Sequence, residues 1–131
     1  MPDIALVQGA SRGLGLAFVK CLIEQSVFSK VIATCRDPNS AVALQEFAES
    51  NSEKVTLLRL DVTDIDSLEA VAETVSASGK SIDLLINCAG VLHSLEGLRP
   101  EKRLQDVSVD NLEEYFRINT IGPLMVIKHL V

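Results

Sequence analysis

The residues best suited to chemistry stand at the start of the chain, in the turn Gly9-Ala10-Ser11-Arg12-Gly13-Leu14-Gly15. A glycine-rich turn that opens a helix binds phosphate, because unpaired backbone N–H groups and the positive end of the helix dipole converge there. The three glycines divide the work: a sharp turn at Gly9, close approach of backbone to a pyrophosphate at Gly13, tight helix-on-sheet packing at Gly15. Ile4 to Val7, just before, has the length and composition of a buried strand. Leu14, Ala17, Phe18, Cys21 and Leu22, just after, share one face at helical spacing. Strand, glycine turn and helix together make Gly9, Ser11, Arg12, Gly13, Leu14 and Gly15 candidates for a dinucleotide site. A nucleotide-hydrolysing P-loop would need Lys and Ser or Thr after the second glycine, where this chain has Leu14. The GxGxxG spacing is absent as well.

Arg36 follows Gly15 by the interval at which dinucleotide folds place their ribose-reading residue, past the second strand. A carboxylate there accepts from the ribose 2′-OH; a guanidinium pairs with a 2′-phosphate. With Arg12 near the same corner, two phosphate-pairing forks favour NADP(H) over NAD(H). Two solvated arginines are the alternative, and Asp37 could pair with Arg36 on the surface. Asp61 and Val62 close the third strand, where a carboxylate and a backbone N–H can hold an adenine edge; Asp61 could equally just start the next turn. Asn87-Cys88-Ala89-Gly90 closes the fourth strand at the carboxyl edge, beside the crevice where open α/β sheets bind ligands. The small residues let a cofactor lie against backbone at Asn87, Ala89 and Gly90. Asn119 shares a helical stripe with Leu112, Tyr115 and Phe116, which points it inward, where a buried amide needs partners. Pro123 crowds the carbonyl four residues back, that of Asn119, and frees it for another donor. His93 beside Ser94 has no acid or second histidine to complete a catalytic set, so the pair reads as ordinary loop. Arg99-Pro100-Glu101-Lys102-Arg103 reads as a solvated charge cluster. No metal site is apparent.

Strands and helices alternate to carry these residues. Val31–Thr34 reads as strand two, and Pro38-Asn39-Ser40 leads into a helix bearing Leu44, Phe47 and Ala48. Val55–Leu60 reads as strand three. Thr63 and Asp66 resemble a capping pair before Leu68, Val71, Ala72 and Val75, and Gly79 ends that helix. Ile82–Asn87 is strand four. Val91 to Val107 is long for a plain connection, and a last helix starts near Ser108 or Asp110 and runs to Val131. Four βα units in a row imply a parallel sheet.

The 131 residues allow one small domain. An apolar fraction of 47% and a mean hydropathy of +0.27 suit a sheet buried on both faces. A net charge of −6 and a pI near 4.8 argue against nucleic acid or anionic membrane as partner. Cys21, Cys35 and Cys88 lack CxxC spacing and read as reduced core thiols of a cytoplasmic protein. No leader pattern precedes the first strand, and the apolar stretch from Ile121 to Val131 is too short to span a bilayer and carries Lys128 and His129.

Taken together, Gly9–Gly15, Asp61-Val62-Thr63, Asn87–Gly90 and Asn119-Thr120 with Gly122-Pro123 resemble the N-terminal half of a short-chain dehydrogenase/reductase. Val31–Pro38 and Ser81–Asn87 resemble its C-factor and sniffer-type carbonyl reductase branch. The resemblance implies a Rossmann-type, doubly wound α/β sheet of strand order 3-2-1-4, forming a single NADP-binding half-domain over residues 1–131. It implies hydride transfer between NADP(H) and a small-molecule carbonyl. An uncovered far side of strand four, Leu84 to Asn87, and a last helix presenting Leu124, Met125, Ile127, Leu130 and Val131 lead to the expectation of a homo-oligomer or of aggregation through that surface. The family uses a Tyr as acid/base, a Lys that lowers its pKa and a Ser that polarises the carbonyl; an Asn matching Asn119 anchors a water in the proton relay. Two departures touch packing: Gln8 replaces the usual Thr, and Cys88 replaces the second Asn. The only tyrosine, Tyr115, is followed four residues on by Asn119 rather than Lys. The expectation is therefore a chain truncated after the fourth βα unit, its chemistry residing in a segment beyond Val131. A non-catalytic nucleotide-binding or interaction fragment is the competing expectation.

Overall fold

The computed structural model describes residues 2–92 and 97–131. Four strands, β1 (Ile4–Gln8), β2 (Lys30–Cys35), β3 (Val55–Arg59) and β4 (Ile82–Asn87), form one parallel sheet in the order β3-β2-β1-β4. The helices are α1 (Gly13–Gln25), α2 (Val42–Ser50), α3 (Ile65–Ala77), α4 (Val109–Phe116) and α5 (Gly122–Leu130). All five residues of β1 are buried, as a central parallel strand requires. Its side chains alternate between two cores. Ala5 and Val7 join Val19 of α1 and Leu44 of α2 on one face. Ile4 and Leu6 join Leu68 and Val71 of α3 and Val126 of α5 on the other. This doubly wound arrangement brings the carboxyl ends of β1, β2, β3 and β4 to one edge.

Four details depart from the sequence reading. The inner face of α1 is Gly15, Leu16, Val19, Leu22 and Ile23, while Leu14, Ala17, Phe18 and Cys21 face outward. This helix is apolar almost all round, so periodicity left its rotation open. The contact of Gly15 with the Gly9 carbonyl fixes that rotation. Helix α3 is capped by Asp64, whose carboxylate accepts from the Asp66 N–H, and not by Thr63. Thr63 instead donates its N–H and hydroxyl to Asp61 Oδ1, at 2.9 and 2.8 Å. The last helix begins at Ser108, whose hydroxyl accepts from the Asn111 N–H, but it does not run evenly to the end. A π-helical turn, Arg117–Ile121, separates α4 from α5. Pro123 lies just beyond it, lacking the N–H that a regular ladder would use. Finally, Cys35 is buried and Cys88 half-buried, but Cys21 is exposed and no core thiol.

Candidate dinucleotide site

Gly9 ends β1 with φ +85°, and its N–H and that of Ala10 both donate to the Thr34 carbonyl, at 3.1 and 2.8 Å. The chain is thereby turned out over the carboxyl end of β2. A side chain at Gly9 would run into the backbone of Ala89, and one at Gly15 would overlap the Gly9 carbonyl. Gly9, Gly15 and Ala89 thus join β1, α1 and the exit of β4 in one close-packed stack. Gly13, at φ +57°, faces open space. No side chain caps the N-terminus of α1, so its first N–H groups are available to a ligand. Leu14 beside them is 75% exposed, an apolar surface that the described residues leave open. Arg12 is the N-cap residue, extended and exposed.

A cavity of about 400 Å³ opens at this edge, lined by Ser11, Cys35, Arg36, Asp37, Ser40 and Asp61. It unites three of the residues singled out by sequence, Ser11, Arg36 and Asp61; Arg12 is not in its wall. Arg36 is exposed and, among the described residues, makes no ion pair. Asp37 does not neutralise it. The Asp37 carboxylate accepts from the Asn39 N–H at 3.1 Å, and its carbonyl accepts from Ser40, building the turn into α2. Asp61 is held by Thr63 through Oδ1 and by the Ser67 hydroxyl through its N–H. It does start the turn, and it also presents its carboxylate to the cavity. Val62 is buried against Gly122, where a side chain would collide with it. Burial pushes the Cys35 thiol up, and the Asp37 carboxylate adds to this, so the thiol stays protonated. Sequence reasoning missed Ser40 and Cys35 as wall residues; their position at the end of β2 and in the turn after it was the available signal.

The exit of β4 carries the other candidate residues, next to the Gly9 turn. The Cys88 N–H donates to the Gln8 carbonyl at 2.8 Å, and the Ala89 N–H to Gln8 Oε1 at 3.2 Å. The unusual Gln8, buried at 2% exposure, thus holds the strand-four segment with its own side chain. Burial also raises the Cys88 thiol. Among the described residues Asn87 Oδ1 is buried without a hydrogen-bond partner, the kind of atom that a ligand or water satisfies. Asn119 does not point into a core as its stripe suggested. It is exposed, like Leu112 and Phe116 of the same stripe, and its amide clasps Val91: Nδ2 donates to the carbonyl at 2.7 Å and Oδ1 accepts from the N–H at 2.6 Å. A side chain at Gly90 would stand 3.3 Å from Asn119 Oδ1. Tyr115, read from sequence as part of a stripe and as a tyrosine without its Tyr-x-x-x-Lys partner, lies with Oη 3.0 Å from the Leu92 carbonyl and 2.9 Å from that of Arg99. His93 and Ser94 lie outside the described residues. Of the charge cluster, Arg103 pairs with Asp106 at 3.0 Å, but Glu101 is not simply solvated, since Oε1 is buried. Among the described residues no group of three metal-ligating side chains occurs, and no helix is long and apolar enough to cross a membrane.

These features have counterparts in known proteins. A sequence profile of the short chain dehydrogenase family matches residues 3–131. The chain belongs to that family. It is 34% identical over 117 residues to the 3-oxoacyl-[acyl-carrier-protein] reductase FabG of Vibrio harveyi, spanning 88% of this chain and 46% of that protein. The NADPH-bound carbonyl reductase from chicken fatty liver superposes with a TM-score of 0.85 at 32% identity, over 99% of this chain and 47% of the other. The carbonyl reductase Sniffer of D. melanogaster gives a TM-score of 0.85 at 26% identity, over 99% and 50%. The short-chain dehydrogenase chain here spans about half the length of these relatives. Its residues fit a dinucleotide on three observations of its own. The first turn of α1 is uncapped, Gly13 faces open space, and Asn87 carries an orphaned oxygen.

Proposed function

We propose that this protein serves an NADP(H)-dependent oxidoreductase of the carbonyl reductase type, acting on a small-molecule carbonyl. The Arg36 guanidinium, without an ion pair among the described residues and beside Ser11 in the cavity at the end of β2, carries the reading. When bound, the cofactor supplies a hydride from nicotinamide C4 to the carbonyl carbon. The chain's own residues bind and orient. Arg36 and Arg12 hold the 2′-phosphate, Asp61 and the Val62 N–H the adenine edge, and the N–H groups from Ser11 to Gly15 the pyrophosphate. Asn87, Ala89 and Gly90 bed the next part of the dinucleotide, and Asn119 serves the proton relay beside them. Residues 1–131 contain no Tyr-x-x-x-Lys, and the Tyr115 hydroxyl is committed to backbone carbonyls. On this reading the acid/base set is not supplied by residues 1–131. Three unbridged thiols fit a reducing compartment, the cytoplasm.

A second reading is a nucleotide-binding fragment that works by pairing with other subunits. It is favoured by Leu112, Phe116, Leu124 and Ile127, which leave an apolar face on α4 and α5 between 39% and 58% exposed. Fluorescence titration with NADPH and NADH tests the first reading. Tighter binding of NADPH supports it, and equal affinity or no binding removes it. An NADPH-binding chain that also restores or blocks the activity of a full-length relative would favour the second.

A further inference from the structure

Tyr115 is the chain's only tyrosine, and it stands one helical turn before Asn119. The two side chains grip the same stretch of backbone. Asn119 clasps Val91 through both ends of its amide, and the Tyr115 hydroxyl reaches the neighbouring Leu92 carbonyl and the Arg99 carbonyl. A phenol has a single proton, so this hydroxyl donates to one carbonyl at a time or shares the proton between them. Either way it ties the chain leaving β4 to the chain returning at Arg99. The returning arm is anchored beside it by Leu98, which is buried. The leaving arm is anchored by Ala89, which packs on Gly9 and bonds to Gln8. A continuous line of contacts therefore runs from the phosphate-binding turn to α4: Gly9 to Ala89, Gly90 and Val91 to Asn119, Leu92 to Tyr115. None of these residues lines the cavity of Ser11, Arg36 and Asp61.

We propose that Tyr115 is a positioning residue: its hydroxyl, together with Asn119, holds Gly90–Leu92 against α4 and so sets the wall of the dinucleotide site that continues from Gly9. The functional half of this inference rests on the dinucleotide reading above; the grip itself does not. A ligand confined to the Arg36 cavity is indifferent to Tyr115, whereas a whole dinucleotide, extending past the glycine turn, is sensitive to it. Desolvation of the phenol, and after it the Glu101 carboxylate, oppose its ionisation.

The test is Tyr115→Phe, which keeps the ring and removes the hydroxyl. Hydrogen exchange read by mass spectrometry should quicken about fivefold over residues 88–92 and 97–103, with the β1 amides unchanged as the check on global folding. Unchanged exchange in both segments overturns the proposal, and so does faster exchange that includes β1, which would make the hydroxyl a general structural support. In parallel, NADPH should bind roughly three- to tenfold more weakly to the variant, while adenosine 2′,5′-bisphosphate, which fills only the adenine end, binds as before. Equal loss for both ligands also overturns it. If the unaltered chain binds neither ligand, the cofactor reading and the functional half fall together, and the exchange result alone decides the grip.

Discussion

Replacing Arg36 with Asp is the sharpest perturbation of the cofactor reading, because the surroundings of Arg36 allow its effect to be worked out. The guanidinium is exposed and free of ion pairs among the described residues, so its loss breaks no contact of the fold. A hydrogen bond to a charged group contributes about 1.5–3 kcal/mol, and exposure argues for the low end, about tenfold in affinity for NADPH. The new carboxylate adds repulsion: unit charges about 4 Å apart in water cost about 1 kcal/mol, and a 2′-phosphate carries close to two charges. Asp37 and Asp61 already line the cavity, so the substitution leaves three carboxylates there and no cation in the wall. The sum is about 3 kcal/mol, or roughly a hundredfold weaker NADPH binding. NADH has no 2′-phosphate to lose, and the carboxylate can accept from its ribose 2′-OH. Its affinity should hold or rise by up to about tenfold. Nicotinamide fluorescence titrations with both nucleotides, at low and high salt, measure this swing. Raising salt should shrink the wild-type preference, since exposed charges are screened. Equal losses for the two nucleotides, or none for NADPH, would refute the placement of the 2′-phosphate at Arg36.

Gly15→Ala should cost about 1–3 kcal/mol by forcing α1 away from the Gly9 carbonyl, lowering the melting midpoint by several degrees; an unchanged melt would show that the helix can shift freely. Because the chain has one tyrosine and no tryptophan, absorbance at 295 nm titrates Tyr115 alone. Partial burial, first, and the Glu101 charge, second, raise its pKa above the usual value. The neutral phenol is therefore favoured by the fold, and its contribution is whole below about pH 10 and lost as pH climbs through the higher folded value. Titration in buffer and in urea should show the folded midpoint higher, and coincident curves would contradict the contacts at Leu92 and Arg99. Sedimentation should reveal self-association through Leu112, Phe116, Leu124 and Ile127, and a strict monomer at all concentrations would count against that face as a contact.

Much of this architecture was legible in the residues because two periodicities and a few special types suffice for it. Runs such as Ile4–Val7 and Val31–Thr34 have the length and apolar character of buried strands, and glycines mark the turn that follows the first. The rotation of α1 was not legible. Gly-Leu-Gly-Leu-Ala-Phe-Val offers apolar groups at nearly every angle, and only the contact between Gly15 and the Gly9 carbonyl selects one. The same holds for the cap of α3, where Thr63 and Asp64 are both competent. Asp61 decides between them by drawing Thr63 to itself.

Within the site, legibility followed the range of the contact. Ser11, Arg36 and Asp61 each end or follow a parallel strand, so topology alone brings them to one edge, and the cavity there unites them. Asn119 was legible as a polar residue with a duty but not in its placement: Leu112 and Phe116 of its stripe are themselves exposed, so the stripe faces no core, and the amide takes its partners from the Val91 backbone. Gln8 shows the converse. As a replacement for threonine it stood out as a departure at a packing position, yet its longer side chain spans to the Ala89 N–H and fastens β1 to the exit of β4. The adjoining Cys88 needs no side-chain hydrogen bond for this, since its own N–H reaches the Gln8 carbonyl. The two departures fall on adjacent strands, and one residue of the pair supplies both acceptors. The segment carrying Asn87, Ala89 and Gly90 is therefore held by main chain and one amide oxygen, leaving the Asn87 side chain its buried, unpartnered oxygen to offer to a ligand.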